Sequence, residues 1–155
     1  MAQANRVIGG KKITIALKVL EQKITNAGVL RMGFLESATY PQTAPGAAAL
    51  HVAQVAFWNE FGTVTAPARP AFRNMVARES KNWGKMLAAA IKATNYDGGK
   101  ALAMLGQSMR DELESEIAQW PADNAPSTVA RKGFNKGLVD TGVLQRSPDY
   151  EVVKA

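Results

Sequence analysis

The sequence predicts an α+β fold, a small antiparallel β-sheet packed by two longer α-helices, on three observations. Apolar residues recur at helical spacing through two long stretches, about 70–93 and 99–120. The short apolar run from Val29 to Leu35 follows Gly28 and precedes a turn-rich segment, as a strand does. Near the other end Tyr150 to Val153 alternates as an edge strand would, and it can pair with the first run. At 155 residues the chain fits one domain, large enough to bury roughly two-thirds of its unfolded surface without a metal or disulfide staple. It has no cysteine, which removes disulfides, thiolate zinc sites and cysteine nucleophiles together.

In chain order, residues 1–10 end in Gly9-Gly10 and read as a flexible N-terminal arm, with the domain occupying 11–155. A first helix is expected over about 13–27, its apolar stripe made of Ile13, Ala16, Leu17, Leu20, Ile24 and Ala27. The β-branched opening Ile13-Thr14-Ile15 leaves its start open to a strand. In the strand at 29–35, Leu30, Met32 and Phe34 share one face. Residues 36–47, with Pro41, Pro45 and Gly46, read as a long exposed loop, mobile in a free subunit. Residues 48–61 are apolar nearly all round, as in a short helix buried on several sides, with His51 packed at the edge of a core.

Pro70 suits the first turn of the next helix, where its missing N–H costs nothing. On that helix Phe72, Met75, Trp83 and Leu87 share one side, while Arg78, Lys81, Lys85 and Lys92 gather on the other. Glu79 falls within the apolar side, so a basic partner or a wet interface is expected beside it. Asn95 or Asp97 is available to cap the helix at 99–120, whose stripe runs from Leu102 to Trp120 with Asp111 and Glu114 pointing away. Ser127-Thr128 can start a brief helix through Arg131, and Asp140-Thr141-Gly142 makes a tight cap before Leu144.

The net charge of +6 is unevenly placed. Eight Lys or Arg residues lie between Thr65 and Arg110 against only Glu79 and Asp97, and then Asp111, Glu112, Glu114, Glu116 and Asp123 follow with no intervening base. Such a split favours head-to-tail attraction between copies, the face at 73–92 meeting the acids of 111–116 on a neighbour, over an unbroken nucleic-acid footprint. Catalysis is not expected. His51 is the one histidine, no serine sits in a nucleophile elbow, and helical spacing scatters the acidic residues around their helix. Gly9-Gly10 and Gly98-Gly99 lack the lysine of a phosphate loop. No catalytic, cofactor or metal site is therefore assigned. The most apolar window, Ala47 to Trp58, is shorter than a membrane span, and a cytoplasmically made protein without membrane contact is expected.

Two separated motifs resemble a known family. The first is Asn59-Glu60-Phe61-Gly62-Thr63 followed by Pro67-Ala68-Arg69-Pro70-Ala71-Phe72. The second runs from Ser127 through Arg131-Lys132-Gly133 to Leu138-Val139-Asp140-Thr141-Gly142, Leu144 and Tyr150-Glu151-Val152, with Gly137 where a proline is common in that family. In this order, flanking two helices, they look like the tail-completion or head-to-tail joining (neck) proteins of long-tailed bacteriophages. The resemblance implies a noncatalytic virion component, made in the host bacterial cytoplasm, that forms a homo-oligomeric ring, a hexamer or dodecamer, in the neck. Its partners would be itself, the head connector or adaptor, and the tail tube or tail terminator proteins, with passing contact to packaged DNA. Within the first motif Phe61 and Phe72 are expected to anchor the helix end to the next helix, Gly62 to turn the backbone, and Arg69 to lie outward or against a carboxylate. A basic DNA-binding accessory protein is the alternative, from the pI near 9.7 and the lysine face; a phage-encoded enzyme or inhibitor of a host factor is a third reading.

Overall fold

A computed structural model describes residues 10–25, 27–42, 46 and 48–154. In chain order these form α1 (Gly10–Thr25), β1 (Val29–Phe34), α2 (Val52–Phe61), α3 (Ala71–Ala93), α4 (Gly98–Ala118), α5 (Pro126–Lys132) and β2 (Pro148–Val153). Among the described residues the fold is a small α+β arrangement of five helices and one two-stranded antiparallel sheet. β1 and β2 pair from Val29 opposite Val153 to Phe34 opposite Pro148. Pro148 opens its strand, a position that tolerates the missing donor.

The two longer helices pack together, and α4 lies on both strands of the sheet. Close approach depends on Gly106: a Cβ there would collide with the ring of Tyr150 and stand 2.8 Å from Cδ1 of Leu30. Between the helices and the segment after α5 lies the core, where Val52, Met75, Leu113 and Ile117 are fully buried with Ala71, Leu138 and Leu144 beside them. Phe34, Phe72, Trp83 and Trp120 close its rim. Asp97 caps α4 by accepting the Lys100 N–H at 3.0 Å, as its type and place suggested.

Several expectations need correction. Helix α1 begins at Gly10, so the β-branched opening is helical; residues 1–9, the rest of the expected arm, lie outside the described residues. Its side chains from Lys12 to Ile24 are exposed except for half-buried Leu20, so the apolar stripe is not a core face. Helix α2 starts at Val52, not at 48. Residues before it are extended and tied to the expected loop: the Tyr40 N–H donates to the Leu50 carbonyl and Val52 to Ala38, both at 2.9 Å. Satisfying these backbone groups orders the base of the loop, whose residues 43–45 and 47 lie outside the described residues. His51 is exposed at this bridge, with Nδ1 2.9 Å from the Glu36 carbonyl oxygen, and is not a core residue.

Burial of α2 on several sides is also overturned. Only Val52 is buried, whereas Phe57, Trp58 and Phe61 are 60%, 41% and 57% exposed. The helix touches β1 and α3 along one side, and among the described residues no further element packs over its other side.

Candidate functional site

The first motif is a clamp between two helices. Pro70, at the start of α3, has no side chain able to cap it, and Glu60 supplies the cap from the end of α2. Its carboxylate accepts the N–H groups of Phe72 and Arg73 at 3.1 and 3.0 Å and the Arg73 Nε–H at 2.8 Å. Arg73 also donates to the Glu60 carbonyl at 2.6 Å. A carboxylate at a helix N-terminus satisfies orphan donors and opposes the positive end of the helix dipole. Asn59 contributes through its backbone, its carbonyl accepting the Arg69 N–H at 2.6 Å, while its side chain donates to Val55.

The loop between the helices follows from its residue types. Gly62 has φ +78°, and a Cβ there would meet the Ala68 nitrogen at 2.9 Å, so the position requires glycine. Thr63 then closes a tight turn, its Oγ1 accepting the Ala66 N–H at 3.1 Å and its N–H donating to the Ala66 carbonyl. Exposed Pro67 and half-buried Pro70 flank the following turn into Arg69.

Arg69 joins this clamp to the second motif's end of the molecule. Its Nε–H donates to Asp123 at 2.8 Å and a terminal N–H donates to the Asp123 carbonyl at 3.3 Å. The Arg69 side chain is only 12% exposed. Burial pushes the Asp123 carboxyl up, but hydrogen bonds from Arg69 and Trp120 and the charge of Arg69 outweigh it and hold the group below the usual carboxylate range. Asp123 is the partner that residue reading left unnamed; its signal was a carboxylate just past the proline that stops α4.

Both motifs line two hollows beside this ion pair. One, of about 380 Å³, has Asn59 and Arg69 on one wall and Arg131, Lys132 and the run from Leu138 to Leu144 on the other. Burial lowers the Lys132 ammonium pKa, with Arg131 and Arg69 adding to the effect and Asp140 opposing it. Asp140 accepts from Arg131 at 3.3 Å. The Thr141 carbonyl accepts from Arg146, and Gly142 turns the chain at φ +77°. The second hollow, about 210 Å³ and apolar, lies between buried Leu138 and the rings of Phe34, Phe57, Phe61 and Phe72.

Phe61 is not the buried anchor expected of it. Half-buried Phe72 packs on the core instead, whereas Phe61 stands outside with its ring 4.7 Å from that of Phe57 and the Arg73 guanidinium 4.9 Å from its centre. The clamp thus holds Phe57, Trp58 and Phe61 in water, an aromatic patch that burial does not explain.

The remaining predicted residues lie elsewhere, on α3 and α4. Glu79 has its basic neighbour in Arg78, at 2.7 Å, and Asn82 donates to it as well; the hydrogen bond from Arg78 leads the effects that lower its pKa. The acidic run is not without compensation, because the packing of α3 on α4 and one base on α4 itself bring donors to it. Arg78 also reaches Glu116 at 2.7 Å, Trp83 donates to Glu112 at 3.2 Å, and Arg110 pairs with both Asp111 and Glu114. Part of the charge attraction read as acting between copies is therefore spent inside one chain. Lys81 and Lys85 are exposed, as is Asp111.

No group of three or more His, Asp or Glu side chains arranged to hold a metal occurs among the described residues, and no described helix is long and apolar enough to cross a membrane. Comparison of the chain with family models, with curated proteins and with solved structures finds no match.

Proposed function

We propose that this chain is a noncatalytic structural protein of the neck of a long-tailed bacteriophage, copies of which associate into a ring where head and tail join. Its further partners are then the head connector or adaptor on one side and the tail tube or tail terminator on the other. The observation that carries the reading is the aromatic patch: Phe57, Trp58 and Phe61 are held exposed by an elaborately hydrogen-bonded clamp. Fixed aromatics beside an apolar hollow are what an interface core is made of. The resemblance of the two motifs to neck proteins supplies the biological setting, and their convergence around Arg69 and Asp123 supports reading them as one unit.

Native mass measurement tests this proposal. Assemblies of one defined copy number, seen as rings by electron microscopy, are the expected result. A chain that stays monomeric at all concentrations refutes it.

The DNA-binding alternative is favoured by one observation, the exposed Lys81, Lys85 and Lys92 on α3. Duplex binding by the monomer that weakens steeply with salt and is lost in Lys81→Glu/Lys85→Glu, with assembly unchanged, would select it.

A further inference from the structure

Helix α1 stands apart from the body. Of the described helices and strands it touches α4 alone, where the carbonyl oxygens of Lys23 and Ile24 come within 3.1 and 3.2 Å of where a Cβ on Gly98 would sit. From that root it extends with Ile13 56%, Leu17 59% and Ile24 41% exposed, and with Ile15 and Val19 exposed on its other side. Five large apolar side chains on this one helix stay 41–64% exposed. An isolated helix of 16 residues is marginal in water. Its stability calls for a second surface.

A surface of matching length and charge lies between α3 and α4. Two adjoining hollows of about 310 and 510 Å³ share Met86 and Ser108 and form one trough. One half is apolar, with small Ala89, Ala90 and Ala93 facing Met104 and Leu105; small residues let a helix approach closely, and methionines adapt to its side chains. The other half carries Glu79, Asp111 and Glu112 around Arg78. Along α4 the trough runs from Met104 to Ser115, a rise of about 16 Å over twelve residues. The stripe from Ile13 to Ile24 has the same length, and α1 is basic along it, with Lys12, Lys18 and Lys23 against Glu21.

We infer that α1 of one copy docks in the α3–α4 trough of a neighbouring copy, antiparallel to α4. Ile24 then lies over Met104, Leu17 reaches the level of Asp111, and Lys12 and Lys18 run beside the acidic half. The helix does not line its own trough, and its stripe is left in water. Helix and trough are different surfaces, so the contact can run head to tail and, where the rotation between copies closes, repeat around a ring. This inference rests on the proposed self-association and names the segments that make it.

The absence of cysteine makes cross-linking a clean test. Chains carrying Leu17→Cys and chains carrying Asp111→Cys are mixed, allowed to exchange, and treated with a short bismaleimide. Cross-linked heterodimers should form several times more abundantly than dimers from either variant alone. Leu17→Glu, on a helix outside the core, should lower the assembled fraction at a given concentration without changing the fold. Three results overturn the docking: cross-links only between two Leu17→Cys chains, a cross-linked monomer from the doubly substituted chain, or intact rings without the heterodimer. The last would leave the ring reading standing; monomers at every concentration would remove both.

Discussion

Replacing Glu60 by alanine isolates the clamp. The side chain is 13% exposed and accepts two helix N–H groups and one guanidinium N–H. Loss of an N-cap costs about 0.5–2 kcal/mol, and loss of a carboxylate from the positive end of a helix adds about 0.3–1 kcal/mol. A total near 2 kcal/mol lowers the midpoint of thermal unfolding by about 4–8 °C in a chain of this size. Glu60→Gln keeps an acceptor but not the charge and should lose roughly half as much. Arg73→Ala combined with Glu60→Ala should cost less than the two single changes added together, since the groups share one network. Circular dichroism melts of a dilute, unassembled sample measure all of this. If Glu60→Ala melts within a degree of the parent, the α3 terminus is served by water and the clamp has no energetic role.

Asp123 gives the fold an acid dependence whose sign follows from its depressed folded-state pKa. The stabilisation is fully present above the unfolded carboxylate value of about 4 and is lost as pH falls through the lower folded value. Asp123→Asn should therefore narrow the stability gap between pH 5 and pH 2, measured by urea unfolding with about 1–3 kcal/mol per molar as the expected slope. Phe61→Ala should change the monomer's stability by about 1 kcal/mol or less, as the ring is largely exposed, while raising the concentration needed for assembly in sedimentation experiments. Gly106→Ala puts a methyl against Tyr150 and should cost about 1–3 kcal/mol by overpacking; unchanged thermal stability would mean that the sheet shifts freely on α4. Raising protein concentration should raise the melting midpoint, because assembly draws on the folded state alone; a concentration-independent midpoint would contradict self-association.

Local signals in the sequence carried most of the fold. The stripes of α3 and α4 are long and regular, Asp97 stood where a cap was needed, and the strands at both ends found each other. What escaped was decided by tertiary placement. Nothing within residues 48–61 tells that only one side of α2 has a partner, so uniform apolarity read as burial when Phe57, Trp58 and Phe61 face water. The partner of Arg69 lies 54 residues away at Asp123 and cannot be reached by periodicity. Likewise, spacing along α4 leaves Glu116 unpaired; only the packing of α3 beside α4 brings Arg78 to it.

The failed burial expectations share one physical cause, and it bears on function. Helical spacing identifies residues that need cover but not the molecule that provides it. The stripe of α1 and the aromatics of α2 are as apolar as any core face, yet both remain exposed among the described residues. On the proposed reading a neighbour supplies the missing cover, and the two surfaces differ in kind. One is a projecting helix rooted at Gly98; the other is a fixed patch held by Glu60 and Arg73 beside an apolar hollow. Unlike surfaces on one molecule can each be covered by a different neighbour, as in a head-to-tail contact. They suit a subunit with different neighbours on different sides, as the proposed joint between head and tail requires.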